Sequence, residues 1–364
     1  MKLALVGVGA AGSRIVDRTL EREDTTGRNF CRGKAFALDT APEALEACDH
    51  VPEGRRLLIG DTHRDVRCEG TDGDVDLGAS VARADGDEIR RELDRAEVGM
   101  ADAILLVAGL GGGTGGGTGA VVLEDLQAMY EVPVYVLGVL PHGGEADRLI
   151  HNAARSLRSF VPLADNTVLF DNDTWIPDEH PGDDYGDVNH QLATRVVTVF
   201  AAGELESSSV AETRLDPSDI IRTLATGGVS TIGYASTPVD TGSGGVLSWL
   251  RSLLGDTADE PPTDAANVSA LVRRALNGRL TLPCEVSSAD RALVALSGPP
   301  SACSRKGFER ARYWLAEETD TVEVLAGDEP NERASELTAA VLVSTVTEVP
   351  RIDEIQRRAV AADN

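Results

Sequence analysis

Residues 109–119 read GLGGGTGGGTG, a run in which eight of eleven positions are glycine. Glycine gives up more backbone freedom on folding than any other residue, so the run predicts a loop and not a strand or a helix interior. The apolar stretch before it, Ala103 to Ala108, predicts a buried strand, and Ala120 to Tyr130 predicts a helix. Strand, glycine loop and helix aim backbone N–H groups and a helix N-terminus at one spot, which suits a phosphate. A flexible linker would not stand between a buried strand and an amphipathic helix.

A second phosphate candidate opens the chain. Leu3 to Val6 predicts a strand, Gly7 to Gly12 follows as GxGxxG, and a helix carries Ile15, Val16 and Leu20. The next strand, Lys34 to Leu38, ends at Asp39, where a nicotinamide dinucleotide fold places its ribose-binding acid. That makes an NAD-dependent oxidoreductase a competing reading. A dinucleotide fold has no use for a second glycine loop, whereas one polyphosphate gripped from both sides uses two.

Residues 60–88 are polar and acidic, and EGTDGDVDLG at Glu69 to Gly78 predicts a long loop. Pro133 to Leu140 predicts a buried strand, then a turn at Pro141 to Gly144, with Glu145 opening a helix. A short strand at Val168 to Phe170 delivers Asp171, Asn172 and Asp173. Alternating strands and helices predict a parallel sheet whose ligands bind at the strands' carboxyl ends, where all these loops fall.

Val188, Leu192, Val196 and Phe200 recur every four residues and predict a long helix with one buried stripe. Tyr185 and Asn189 share another face near its start, where a planar base could stack on one and pair with the other; taken alone, the pair reads better as an exposed tyrosine beside a surface amide. In Asp216-Pro217-Ser218-Asp219 the first acid is a helix cap, proline takes the first helical position and Asp219 faces the dipole, so capping alone explains the pattern. Residues 239–266 form a glycine-, proline- and acid-rich connector with an amphipathic turn at Trp249. An α+β pattern follows: a helix from Val268 to Leu276, strands at Leu280 to Val286 and Ala292 to Ser297, a helix from Ser304 to Glu317, and strands at Thr321 to Leu325 and Leu337 to Val346.

Acidic residues outnumber basic ones 60 to 34, and the net charge is -26. Only Lys2, Lys34 and Lys306 are lysines. Such a surface repels itself unless screened, and the Debye length falls to about 3 Å at molar salt, which points to a salt-rich cytoplasm. No basic stripe exists to track a phosphate backbone, which excludes nucleic acid as a partner. No 18-residue apolar run and no leader pattern occurs, so a cytoplasmic protein without a transmembrane segment is expected. The five cysteines are odd in number and widely spaced, so reduced thiols are expected, and the scattered histidines suggest no metal site.

Taken together, the glycine loops resemble those of the tubulin and FtsZ superfamily of self-assembling GTPases, most closely its haloarchaeal CetZ group. Gly111-Gly112-Gly113-Thr114-Gly115 is similar to the family's signature loop, and Tyr185-Gly186-Asp187-Val188-Asn189-His190 to its base-binding helix. Leu280 to Glu285, Leu296 to Pro300 and Arg305-Lys306-Gly307 are similar to segments of the CetZ second domain. The resemblance implies an α/β fold with a Rossmann-like parallel-sheet GTPase domain at 1–184, a central helix and catalytic loop region at 185–235, a connector at 236–266 and a C-terminal α+β domain at 267–364.

It further implies GTP or GDP as ligand, with Mg²⁺, and assigns roles by position. Ala10, Ala11, Gly12, Ser13 and Arg14 would cradle the phosphates from the first loop, and Gly112, Gly113, Thr114 and Gly115 from the second. Glu145 would meet the ribose, Asn172 and Asn189 would read guanine, and Tyr185 would stack on it. Asp216 and Asp219 would be catalytic, completing the site of the next subunit in a head-to-tail homopolymer. The implied role is a cytoskeletal GTPase of cell shape, with other filaments of the family as further partners; the alternative is a nucleotide-binding regulator that does not hydrolyse. Gly116 stands where the family has serine, alanine or threonine, Asp39 where CetZ proteins have asparagine, and Arg214 where FtsZ has asparagine. No long tail follows Asn364, so the peptide by which FtsZ docks membrane anchors is not expected.

Overall fold

The computed structural model describes residues 1–364 apart from 32, 67–68, 178–184, 203, 205–214, 240–263, 333 and 363–364. Arg214, Cys68, Trp249 and nearly all of the expected connector lie outside the described residues. The described part is built on ten strands: β1 Leu3–Val8, β2 Ala35–Asp39, β3 Arg56–Leu58, β4 Ala103–Gly109, β5 Val134–Leu140, β6 Asn166–Asp171, β7 Val229–Pro238, β8 Arg291–Gly298, β9 Val324–Pro330 and β10 Glu336–Ser344. They lie in the order β3-β2-β1-β4-β5-β6-β7-β10-β8-β9. The sheet is parallel from β3 to β7, β10 runs antiparallel to both β7 and β8, and β9 is parallel to β8.

Strands β1, β4 and β5 are apolar along nearly their whole length because helices cover both faces of the sheet. One face carries α1 (Gly9–Thr26), α2 (Pro42–Glu46) and the central α8 (Tyr185–Phe200). The other carries α3 (Val75–Ala84), α4 (Gly86–Arg95), α5 (Gly119–Met129) and α6 (Asp147–Leu163). On α8 the expected stripe of Val188, Leu192, Val196 and Phe200 is buried, and each such side chain contributes about 1.5–3 kcal/mol by leaving water. The expected architecture is therefore present: a parallel α/β sheet, a long central helix and a second α+β part. No helix among the described residues is long and apolar enough to cross a membrane. Cys31, Cys48, Cys284 and Cys303 are free thiols.

Several local expectations need correction. The loop expected at 69–78 ends at Asp74, whose carboxylate accepts a hydrogen bond from the Leu77 N–H at 2.9 Å and so starts α3 inside the acidic stretch. The glycine run is a loop only at its beginning. From Thr114 to Thr118 it is a turn of π-helix that continues into α5. Residues 280–286 are not a strand, because Pro283 lacks a donor and the chain bridges instead of laddering. There the Thr281 N–H donates to Ile232 O, and Thr281 O accepts from the Asp171 N–H.

Strand β7 and the C-terminal helix α12 (Pro350–Ala362) are additional to what the sequence predicts; α7 (Asn172–Trp175), α9 (Pro217–Leu224), α10 (Asp264–Asn277) and α11 (Arg305–Glu318) complete the helices used below. β7 hides because buried polar residues on both of its faces interrupt the apolar pattern of Val229, Ile232 and Ala235. Ser230 and Thr231 are fully buried there, and bond to Asn166, Ser344, Thr281 and Leu282.

Candidate active site

β1 lies between β2 and β4, so connections leave it on opposite sides and open a crevice at the carboxyl ends of β1 and β4. A cavity of about 540 Å³ occupies that crevice. At its floor the chain leaves β1, turns at Gly9 with a φ of +74° and enters α1 directly. Only glycine holds that angle without strain, and a Cβ on Gly9 would stand 3.0 Å from the Gly115 N, so the two glycine loops touch here. No side chain caps α1 and no acid lies in its first turn. Its leading N–H groups are therefore open to an anion.

The second wall is the π-turn. A Cβ on Gly113 would lie 2.3 Å from Thr71 Oγ1, on Gly115 2.3 Å from Gly109 O, and on Gly117 2.1 Å from Val75 O. Glycine serves here to let three backbones approach one another. The π-turn widens the helix entrance, a distortion common at functional sites. Thr114 ties the loops together: its hydroxyl meets that of Thr40 at 2.7 Å and that of Thr71 at 3.3 Å.

All the residues expected at the nucleotide line this cavity except Gly12 and Ser13. Gly12 instead lets α1 press on β4, since a Cβ there would come within 2.1 Å of Val107 O. Ser13 is fully buried one position further along α1. At the far wall Tyr185 donates its hydroxyl to Glu145 Oε1 at 3.2 Å, and the same oxygen accepts from the His142 N–H at 2.9 Å. Burial, with Glu145 beside it, pushes the Tyr185 phenol up to about 12. Asn172 opens α7 and Asn189 sits one turn beyond Tyr185 on α8, both reaching the cavity.

Thr71 and Asp72 bring the acidic loop to the cavity, and Thr40 and Arg148, which were not singled out from sequence, line it as well. Glu145 does not open a helix, as the sequence suggests, but lies in the turn before α6, its N–H bonded to His142 O, and Arg148 follows in the first turn of that helix. With Arg14 it puts two guanidinium groups at the cavity, alongside the acids Asp39, Glu43 and Asp72.

The expected catalytic acids are elsewhere. Asp216 caps α9, accepting from the Ser218 N–H at 2.7 Å and the Asp219 N–H at 3.2 Å, while Asp219 Oδ2 accepts from the Asp216 N–H at 3.0 Å. The hydroxyl and N–H of Ser218 hold the Asp216 carboxyl below its usual range. Helix α9 ends over the amino end of β6, where the Asn166 amide donates to Leu224 O and Gly227 O. Asp171, at the carboxyl end of β6, is next to the cavity-lining Asn172. The end of α9 thus lies towards the edge of the sheet opposite the cavity, and neither Asp216 nor Asp219 is among the residues that line the cavity.

Asp39 gives the cavity a pH signature. One carboxylate oxygen accepts from the Thr40 N–H at 2.7 Å and the Ala41 N–H at 3.3 Å, while the other is buried without a hydrogen-bond partner. Burial pushes this carboxyl up to about 6 against the opposing pull of Arg14. A carboxyl with a raised folded-state pKa stabilises the fold below about pH 4, and that contribution is lost as pH rises through about 6. Over that window the loss is about 3 kcal/mol at 1.36 kcal/mol per unit. Asp39→Asn is therefore expected to raise the ligand-free unfolding midpoint at pH 7.5, with the gain shrinking towards pH 5. Denaturant titrations at the two pH values check this, and a pH-independent gain would refute it.

Two family models match the chain: the GTPase domain of the tubulin/FtsZ family over residues 2–177, and the C-terminal domain of tubulin-like CetZ over 178–361. Tubulin-like protein CetZ3 of Haloferax volcanii is 43% identical over 362 residues, covering 99% of this chain and 92% of the relative. Among solved structures, the GDP-bound monomer of CetZ1 from Haloferax volcanii superposes with a TM-score of 0.84 at 37% identity, covering 100% of both chains. The GTPγS-bound protofilament of CetZ2 from the same organism gives a TM-score of 0.82 at 33% identity, covering 100% of this chain and 98% of that one.

Proposed function

On the premise that this chain belongs to the tubulin/FtsZ family, with the CetZ form of C-terminal domain, we propose that it is a filament-forming GTPase. GTP binds in the cavity, and hydrolysis occurs across the contact between successive subunits. The observation that carries this reading is the division of the machinery: two uncapped glycine turns, Arg14 and Arg148 face one cavity, while the acid pair caps α9, outside the residues that line it. The solved relatives support guanine nucleotide as the ligand, since one is bound to GDP and another to GTPγS as a protofilament.

The triphosphate lies against the leading N–H groups of α1 and the π-turn, with the two guanidiniums balancing its charge. Glu145 takes the ribose, Tyr185 stacks on the base, and Asn172 and Asn189 read its edge. Thr71, Asp72 and Thr114 at the phosphate end are oxygen donors of the kind Mg²⁺ takes, alongside phosphate oxygens and water. When bound, Mg²⁺ would neutralise charge developing on the phosphates. Phosphoryl transfer otherwise needs a positioned water, and Asp216 and Asp219 of the following subunit orient it.

Identical subunits stacked along the axis of α8 bring one molecule's acids to the next one's cavity. Such a head-to-tail contact does not close on itself, so it builds an open filament. With a surface of charge -26, assembly is expected only where salt screens like charges. In molar KCl with Mg²⁺, light scattering and sedimentation are expected to rise on GTP addition and to fall as GTP is consumed. Flat scattering at high protein concentration, with GTP shown to be bound, would eliminate assembly and leave a nucleotide-binding regulator.

A further inference from the structure

The wall of the cavity opposite the glycine turns is built by the segment after β5, residues 141–145, and by the end of β6 with α7, residues 171–173. Besides their local turn bonds, both are held from a distant part of the chain. Arg351, at the start of α12, reaches both with a buried guanidinium. Its Nη2 donates to Pro141 O at 2.9 Å and its Nε to Asp171 Oδ1 at 3.2 Å, while Nη1 donates to Glu354 at 3.0 Å and lies 3.8 Å from Asp173 Oδ2.

The contacts run on into the cavity wall. Asp173 Oδ1 accepts from the Gly143 N–H at 2.6 Å, the His142 N–H donates to Glu145, and Glu145 accepts from Tyr185. Two helical turns further along α12, Arg358 donates to Gly143 O at 3.0 Å and to Asp147 at 2.7 Å. Seven residues is close to two full turns, so both arginines grip the same segment from one face of one helix.

We propose that Arg351 and Arg358 are positioning residues for the ribose and base half of the nucleotide site. Through them the C-terminal domain sets nucleotide affinity and base selectivity without touching the ligand. The glycine turns hold the phosphates independently of α12, so the effect falls on the part of the ligand that distinguishes guanine from adenine. This inference rests on the guanine-nucleotide reading of the cavity, and deepens it.

The test uses the full chain in molar KCl with fluorescent GDP and ADP analogues. Wild type binding GDP more tightly than ADP carries the underlying reading, and failure there sinks that reading alone. Arg351→Met leaves the buried Asp171 unpaired and will weaken the fold, so Arg351→Met with Asp171→Asn removes the charge from both members of that buried pair. That double variant, and the milder Arg358→Gln, are each expected to weaken GDP binding at least about tenfold and to narrow the GDP:ADP preference, since small misplacements at a site are costly. Arg351→Lys, which keeps the charge, is expected to recover part of the loss.

The comparison is Arg28→Gln, which breaks an equally buried pair with Glu329 beyond the other end of α1 and should leave GDP affinity within about twofold. Unchanged affinity and selectivity in both the double variant and Arg358→Gln would overturn the proposal. Equal weakening by Arg28→Gln would overturn it too.

Discussion

Asp219→Ala is expected to lower GTP turnover at least about a hundredfold, the lower end of what a positioned acid or base contributes, while GDP affinity stays within about twofold of wild type. The separation follows from position, because the acid is not among the residues that line the cavity and none of those bonds to it. Its structural duty is small: Asp219 returns one hydrogen bond in the cap of α9, and losing such a bond costs about 1 kcal/mol. Asp219→Asn keeps an acceptor at that place and isolates the charge. If the acids act on the next subunit, the alanine variant titrated into wild type will depress turnover per wild-type molecule, because each mixed contact leaves one loaded cavity without its water-orienting group. Turnover of Asp219→Ala and Asp216→Ala within about twofold of wild type would remove hydrolysis across the contact from the mechanism.

What could be read from the sequence, and what could not, divides along the range of the interactions. The cap of α9 was legible because Asp216, Pro217 and Asp219 act on their own backbone. The stripe on α8 was legible because burial follows its period. The glycine run announced the site but misled about its shape. Propensity argues against helix there, yet packing against Thr71, Val75 and Gly109 outweighs propensity and bends the run into a π-turn. β7 was illegible because Ser230 and Thr231 put a buried hydroxyl on each of its faces, satisfied by residues far away in sequence. The grip of Arg351 on Asp171 and Pro141 spans 180 and 210 residues, and no local pattern encodes that separation.

Gly117→Ala is expected to destabilise the ligand-free protein by about 3 kcal/mol, towards the upper end for overpacking a close-packed site, although alanine is the better helix former. The two effects oppose each other, and their sizes decide the sign. Replacing glycine inside a helix gains about 1 kcal/mol in propensity. Against that, the new Cβ would lie 2.1 Å from Val75 O and 2.9 Å from the Ala79 N, both backbone atoms of α3, which cannot swing aside as a side chain would. Helix α3 must shift as a unit. Its preceding turn carries Thr71 and Asp72 into the cavity, so GDP affinity should fall at least about tenfold with stability. Gly112→Ala separates the two consequences. Its Cβ meets nothing closer than 3.7 Å, so the unfolding midpoint should hardly move, yet the position lines the cavity and a methyl there takes space from the phosphates. Denaturant unfolding without nucleotide, paired with GDP titration, distinguishes these outcomes. A Gly117→Ala protein as stable as wild type would mean that the π-turn is not held by its contact with α3, and the account of why this run is glycine would fail with it.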